Sequence, residues 1–155
     1  PQNAIRVGLH NSGEFNQYQL GEEKATLDQP ISVDYAKKIR HAYAACISYI
    51  DFQVGRIMDE LEALDLDENT IIVVWGDHGW HLGDHSLWNK HSNFEQATRS
   101  PLMIYVPNGN KSVKVSSPTE FVDLFPTLCE LSGLSIPENF PFQTIISQDS
   151  VLSMS

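Results

Sequence analysis

Residues 70–79 read Thr-Ile-Ile-Val-Val-Trp-Gly-Asp-His-Gly, and this stretch decides the fold class. The first six positions form an unbroken run of mostly β-branched, apolar residues. Such a run is typical of a strand that is covered on both faces, as in a parallel sheet. Two glycines then frame an Asp-His pair, Asp77 and His78. We therefore predict a central strand over 70–75 whose carboxyl end carries a polar site.

The segments on either side of this strand predict helices and a second strand. Apolar residues in steps of three and four predict one long helix with a single apolar stripe, capped by Ser32 and ending near Leu64 to Asp67. A second buried strand is predicted over 101–106, and a short helix over 94–98. A later helix is predicted from Thr119, as its N-cap, to Gly133, as its C-cap. The stripe of the long helix comprises Tyr35, Ile39, Tyr43, Cys46, Ile50, Val54, Ile57, Leu61 and Leu64.

This order of helix, strand, loop, strand and helix predicts an α/β layered fold with helices on both faces of a sheet. Two strands alone do not make a stable sheet, so we expect the sheet to continue outside these residues and the chain to be a fragment. The predicted division is an irregular lead-in over 1–31, the body of the domain over 32–137 and a weakly structured tail over 138–155.

The composition excludes several classes of function. The chain has 10 Lys and Arg against 20 Asp and Glu, a net charge of −10, which argues against nucleic acid or an anionic membrane as partner. No apolar run has the length of a membrane span. The two cysteines, Cys46 and Cys129, are too few and too far apart for a cysteine zinc site, and we expect both to be buried free thiols.

The chemistry is predicted at Asp77, His78 and Lys90. Ligands bind at the carboxyl ends of strands in open α/β sheets, and a carboxylate beside an imidazole there is a natural metal site. Lys90 is a candidate ligand for a sulfate or phosphate oxygen. Four of the six histidines fall between His78 and His91, which favours a site over a polar surface loop with a solvated lysine, the simpler alternative. Trp75 is expected in the core.

Four motifs in the same region resemble those of the sulfatase family in the alkaline-phosphatase superfamily. The family patterns are Asp-His-Gly, Leu-Gly-Glu-His-Gly, Trp-x-Lys and Arg-x-Pro-Leu. Here they stand as Asp77-His78-Gly79, Leu82-Gly83-Asp84-His85-Ser86, Trp88-Asn89-Lys90 and Arg99-Ser100-Pro101-Leu102. The helix run from Tyr43 to Asp51 and the later segment from Asp123 to Gly133 are also similar. Within the family, 33–40 and 92–94 are most like iduronate-2-sulfatases. Asp84 and Ser86 depart mildly from the family pattern.

The resemblance implies a partial alkaline-phosphatase-like fold and a role for each matched residue. Asp77 and His78 would ligate one Ca²⁺, with the remaining ligands upstream of this chain, and Lys90 would hold the sulfate. The substrate would be a sulfated carbohydrate or another sulfate ester. By family, the protein would be periplasmic, extracellular or lysosomal.

One family motif is missing from the sequence. Sulfatases attack sulfur with a formylglycine made in a Cys/Ser-x-Pro-x-Arg motif, and no such motif occurs in these 155 residues. We therefore expect this chain to be inactive alone. We also expect it to be poorly stable, because the sheet is short of strands and the metal site lacks half of its ligands. Two alternatives stay open, namely a phosphoester or phosphonate hydrolase of the same superfamily and a non-catalytic chain.

Overall fold

The computed structural model describes residues 6–18, 22–109, 114–142 and 144–145. Short 3₁₀ turns occur at Arg6–Gly8, Asp67–Asn69, Asp84–Ser86 and Phe121–Asp123. The helices and strands, in chain order, are α1 (Gly13–Tyr18), α2 (Val33–Ala63), β1 (Ile72–Trp75), β2 (His81–Leu82), β3 (Trp88–Asn89), α3 (Glu95–Thr98), β4 (Leu102–Tyr105) and α4 (Leu124–Leu131).

The strands form two small sheets between helices, so the predicted α/β class is confirmed. β1 pairs with β4, and β2 pairs with β3 in an antiparallel ladder that places His81 opposite Asn89 and Leu82 opposite Trp88. The described residues group into two compact units. One contains the residues up to Glu60 together with Val74–Met103, and it holds the whole candidate site. The other contains Leu61–Val73 and the residues from Ile104 onward.

Helix α2 begins as predicted, because Ser32 caps it. The Ser32 hydroxyl accepts a hydrogen bond from the Tyr35 amide at 3.2 Å, and its carbonyl accepts from the Ala36 amide at 2.9 Å. The predicted apolar stripe is only half covered. Tyr35, Ile39 and Tyr43 are partly buried, whereas Cys46 and the later members Ile50 and Ile57 are exposed.

Three expectations about burial are wrong. Cys46 is an exposed free thiol, because its part of α2 finds no cover among the described residues, whereas Cys129 is buried as expected. Trp75 is 52% exposed rather than in the core. β1 and β4 are half-buried rather than covered on both faces.

Helix α4 begins later than the sequence predicts. A 3₁₀ turn over Phe121–Asp123 precedes it, and Thr119 is not its N-cap. The reason is Pro126, which lacks an amide proton and is tolerated in a first turn but not inside a helix. The predicted end at Gly133 is confirmed. Its φ is +67°, and the amides of Gly133 and Leu134 donate to the carbonyls of Glu130 (3.1 Å) and Cys129 (2.8 Å), which is a Schellman motif.

The lead-in segment has more structure than its sequence suggests. It contains α1, and Ala25 packs with Ala36 and Trp88 in a small core. This core is extended by the partly buried Phe15, Ile31, Ile39 and Leu82. Side-chain hydrogen bonds order this segment. Its apolar residues show no helical or strand period, so the sequence pattern did not predict its structure. The division of the chain into lead-in, body and tail stays a prediction, and residues 146–155 of that tail lie outside the described residues.

Candidate functional site

The loop after β1 is held at both ends by backbone hydrogen bonds. The Gly76 amide donates to the Pro101 carbonyl at 3.0 Å, and the Gly79 amide donates to the Ala97 carbonyl at 2.7 Å. The Ser100 hydroxyl donates to the Gly76 carbonyl at 2.7 Å. Gly79 passes so close to the end of α3 that an added Cβ would lie 2.7 Å from the carbonyl oxygen of Arg99, the residue just after the helix. Asp77 and His78, between these glycines, therefore lie in a loop whose backbone is held at both ends.

The side chains of Asp77 and His78 lie close enough together to be compatible with one shared metal ion. Nδ1 of His78 lies 2.9 Å from the Gly79 carbonyl oxygen, which only accepts, so Nδ1 carries the proton. In the neutral ring Nε2 then has a free lone pair, and it lies 3.5 Å from Oδ2 of Asp77. Two ligands at right angles around one Ca²⁺ are separated by about 3.3–3.7 Å. The Asp77 side chain is 84% exposed and thus open to an ion.

These two residues alone do not make a metal centre. Among residues 6–18, 22–109, 114–142 and 144–145, no group of three or more His, Cys, Asp or Glu side chains is arranged to hold a metal ion. Asp77 and His78 fit such an ion as part of a larger ligand set, because an oxygen and a backbone-oriented imidazole are compatible donors.

Trp80 joins the Asp77–His78 pair to Lys90. Its ring stacks on His78, with centroids 5.9 Å apart, and on Tyr43 of α2, with centroids 6.2 Å apart. The Lys90 ammonium lies 5.7 Å from the Trp80 ring centroid, within the range of a cation–π contact. The structure thus brings together three residues that the sequence singles out, and Trp80 is the contact between them.

Lys90 also forms an ion pair that the sequence did not predict. Its Nζ lies 3.2 Å from Oε1 of Glu14, and Nε2 of His91 lies 2.7 Å from Oε2 of the same carboxylate. Partial burial raises the pKa of Glu14, but hydrogen bonds from Lys90 and Tyr18 and the charges of Lys90 and His91 outweigh it. The net pKa lies below its usual range. Glu14 is therefore ionised at neutral pH.

The remaining histidines of the cluster face elsewhere. His81 is 1% exposed, and its Nε2 lies 2.7 Å from the Ser92 hydroxyl. His85 stacks on Phe94 with centroids 4.3 Å apart. Burial lowers the pKa of His81, and the nearby imidazoles of His85 and His10 lower it further, against the opposing charge of Asp84. We interpret His81 and His85 as packing residues that support the loop.

An open cleft lies beside His91. Its volume is about 600 Å³, and it is lined by Val7, Gly8, His91, Ser92, Asn93 and Phe94. None of the helices that the structure describes combines the length and apolar character of a membrane span.

Known proteins match the chain across this whole region. The sulfatase family matches residues 7–134. The chain belongs to the sulfatase family. A sulfatase of Formosa agariphila is 46% identical over 141 residues, which cover 86% of this chain and 28% of that protein. Iduronate 2-sulfatase of Mus musculus is 42% identical over 137 residues, which cover 72% of this chain and 25% of that enzyme.

A solved sulfatase-superfamily structure has the same fold over most of the chain. The phosphonate monoester hydrolase of Silicibacter pomeroyi is 30% identical, with a TM-score of 0.70 over 76% of this chain and 23% of that one. This sulfatase chain thus spans about a quarter of the length of these relatives, and its fold is a part of the alkaline-phosphatase-like α/β fold, as predicted.

Proposed function

We propose that these residues form the part of a sulfatase active site that supplies two calcium ligands and one sulfate ligand. Asp77 and His78 would hold the Ca²⁺, and Lys90 would bind the sulfate group of a 2-O-sulfated uronic acid in a sulfated glycan. The observation that carries the proposal is the geometry of the His78 ring, whose Nδ1 lies 2.9 Å from the Gly79 carbonyl oxygen and whose Nε2 lies 3.5 Å from Oδ2 of Asp77. The nucleophile would come from residues outside this sequence.

The chain's own residues have distinct tasks in this proposal. When bound, a divalent cation would stabilise negative charge at the reacting group. Asp77 supplies a hard anionic oxygen, and His78 supplies a neutral nitrogen whose direction is fixed by the Gly79 carbonyl. Lys90 places a cation beside the sulfate and stabilises the charge that develops as the ester bond breaks.

The substrate class rests on relatives and on the cleft. Two relatives are sulfatases, and one of them is an iduronate 2-sulfatase. The cleft next to His91 has the volume of a small ligand site. We place the sugar in this cleft because His91, which lines it, directly follows Lys90 in the chain.

Replacing Asp77 tests the calcium ligands. In the full-length polypeptide that carries these residues, Asp77→Asn should weaken Ca²⁺ binding by at least about tenfold, because the amide keeps the shape but loses the charge. Binding is measured by displacement of Tb³⁺, whose luminescence is sensitised by nearby indoles such as Trp80. The matched control is Asp34→Asn, which removes an exposed carboxylate on α2. Equal affinities in the two variants would refute the assignment.

Replacing Lys90 tests the sulfate ligand. Lys90→Ala should lower kcat/KM for a fluorogenic 2-O-sulfated iduronide by roughly 10²–10³-fold, the usual loss for one charge-stabilising group. Lys37→Ala, which removes an exposed lysine on α2, should leave kcat/KM unchanged. A Lys90→Ala enzyme as active as the Lys37→Ala enzyme would show that another group binds the sulfate.

A second candidate function is the hydrolysis of phosphonate monoesters. It is favoured by the likeness to the phosphonate monoester hydrolase of Silicibacter pomeroyi. The two functions are separated by comparing kcat/KM for 4-nitrophenyl sulfate with that for 4-nitrophenyl phenylphosphonate. We expect the sulfate ester to be preferred, and a preference for the phosphonate would reverse the order of the two candidates.

A further inference from the structure

Glu14 restrains Lys90 more directly than any other described charged group. It engages the ammonium through Oε1, at 3.2 Å, and the His91 ring through Oε2, at 2.7 Å. The Tyr18 hydroxyl donates a further hydrogen bond to Oε1 at 3.1 Å. The side chains of Glu14 and Lys90 are 17% and 30% exposed. The pair is therefore partly withdrawn from water, where opposite charges attract more strongly than on an open surface.

Helix α1 fixes the place of this carboxylate. The Ser12 hydroxyl, just before the helix, accepts a hydrogen bond from the Trp88 amide at 3.1 Å, and Phe15 stacks on the Trp88 ring with centroids 5.6 Å apart. The Asn16 side chain forms two hydrogen bonds with the backbone of Ala25, at 2.8 and 2.9 Å. Glu14 is thus presented by a segment that is attached to β3, the strand directly before Lys90.

A lysine without such restraint is a poorly placed ligand. Its stem has four rotatable bonds, so the ammonium of a free lysine samples many positions and loses that freedom when it binds an anion. Here the Glu14 carboxylate and the Trp80 face restrict Lys90 from two directions. Restriction before the substrate arrives makes binding and alignment more favourable.

We propose that Glu14 is a positioning residue that holds the Lys90 ammonium against Trp80, ready to meet a sulfate oxygen. The proposal rests on the function proposed for Lys90. Nε2 of His91 lies 2.7 Å from the second oxygen of Glu14, although the geometry there is not that of a hydrogen bond. Glu14 acts only through Lys90 and touches neither the substrate nor the metal.

A double-mutant cycle in the full-length enzyme tests this role. Glu14→Gln should lower kcat/KM for the 2-O-sulfated iduronide about tenfold, less than the loss of Lys90 itself. In a Lys90→Ala background the same change should have no further effect, because there is no ammonium left to place. Glu23→Gln is the control, since Glu23 also accepts hydrogen bonds, from Ser32, but lies at the start of α2. Its effect should be small and equal in both backgrounds.

A second readout does not depend on catalysis. The rate at which acetic anhydride modifies the Lys90 amine, measured by mass spectrometry against Lys37 in the same sample, should rise roughly two- to fivefold in Glu14→Gln. Tyr18→Phe, which removes only the hydroxyl bond to Glu14, should give a smaller rise and keeps the test valid if Glu14→Gln folds poorly.

The outcomes separate this proposal from the one it rests on. An unchanged labelling rate, or a loss of kcat/KM that is the same with and without Lys90, overturns the role of Glu14 and leaves Lys90 as the sulfate ligand. A rise in sulfate-ester turnover in Glu14→Gln would identify Glu14 as a competitor for the Lys90 ammonium. That result would also overturn the positioning role of Glu14. Full activity of Lys90→Ala overturns both proposals together.

Discussion

Single residues of the site differ in how well the sequence predicts them. Asp77 and His78 were predicted because they directly follow a β-branched run and are framed by glycines, and their metal role stays a proposal. Glu14 was missed because it lies 76 positions before Lys90, in a segment without apolar periodicity. Only the fold brings such a pair together, and no local sequence pattern indicates the contact.

Glu23 gives a pH prediction at the residue scale. The Ser32 hydroxyl and amide both donate to its carboxylate at 2.6 Å, and these bonds lower its pKa from the usual 4.5. A carboxyl whose folded pKa is depressed contributes stability that is present above its unfolded pKa and is lost as pH falls through the folded value. The start of α2 should therefore be stabilised at neutral pH and weakened below about pH 4.5.

This prediction is checked with Glu23→Ala and its exposed neighbour Glu22→Ala. At pH 7 the first variant should melt at a lower temperature than the second, as followed by circular dichroism. Well below pH 4.5 the difference should shrink, because protonation has already removed the contribution of Glu23. A difference that stays constant from pH 7 to pH 3 would mean that its charge contributes nothing.

For the helices and strands, the sequence predicted type and position more accurately than exact bounds and burial. The position of α2 followed from its period and from Ser32, and the end of α4 followed from Gly133. The predicted start of α4 was wrong because the effect of Pro126 depends on its position in the helix. An apolar pattern does not specify that position. The strands were predicted in place but not in burial, since burial is decided by neighbours rather than by the strand's own residues.

The loop between β1 and β2 gives a prediction at the element scale. Gly79→Ala should disturb it, because the new Cβ would collide with the backbone of Gln96 in α3 and with the carbonyl oxygen of Arg99, just after α3, at 2.7 Å. The loop would have to move with Asp77 and His78, so Ca²⁺ affinity should fall as in Asp77→Asn even though both ligands remain.

The matched control is Gly55→Ala, in the middle of α2, where an added Cβ meets nothing within 4 Å. That change should stabilise the helix by about 1 kcal/mol, because alanine restricts the unfolded chain and glycine does not. Thermal melts and Tb³⁺ displacement on both variants test the pair. Unchanged metal affinity in Gly79→Ala would show that the loop adjusts without moving its ligands.

At the scale of the whole molecule, there are more apolar side chains than the described residues bury. Among the residues that the structure describes, seven hydrophobic residues are buried, whereas twenty large hydrophobic side chains are exposed. Part of the second group forms one face of α2, where Ile47, Ile50 and Ile57 are 56%, 59% and 62% exposed. The sequence pattern identified Ile50 and Ile57 as an apolar stripe but did not reveal what would cover it.

An uncovered stripe of this kind predicts association of the isolated 155-residue chain, because apolar surface leaves water when two such faces meet. Ile50→Lys should shift the chain toward monomer in sedimentation velocity at high micromolar concentration. Ser48→Lys adds the same charge on the opposite side of α2 and should leave association unchanged, which separates the loss of apolar surface from the change in net charge. If both variants associate alike, the α2 face is not the surface that drives association. Association that persists in Ile50→Lys but disappears at high salt would instead point to charged groups.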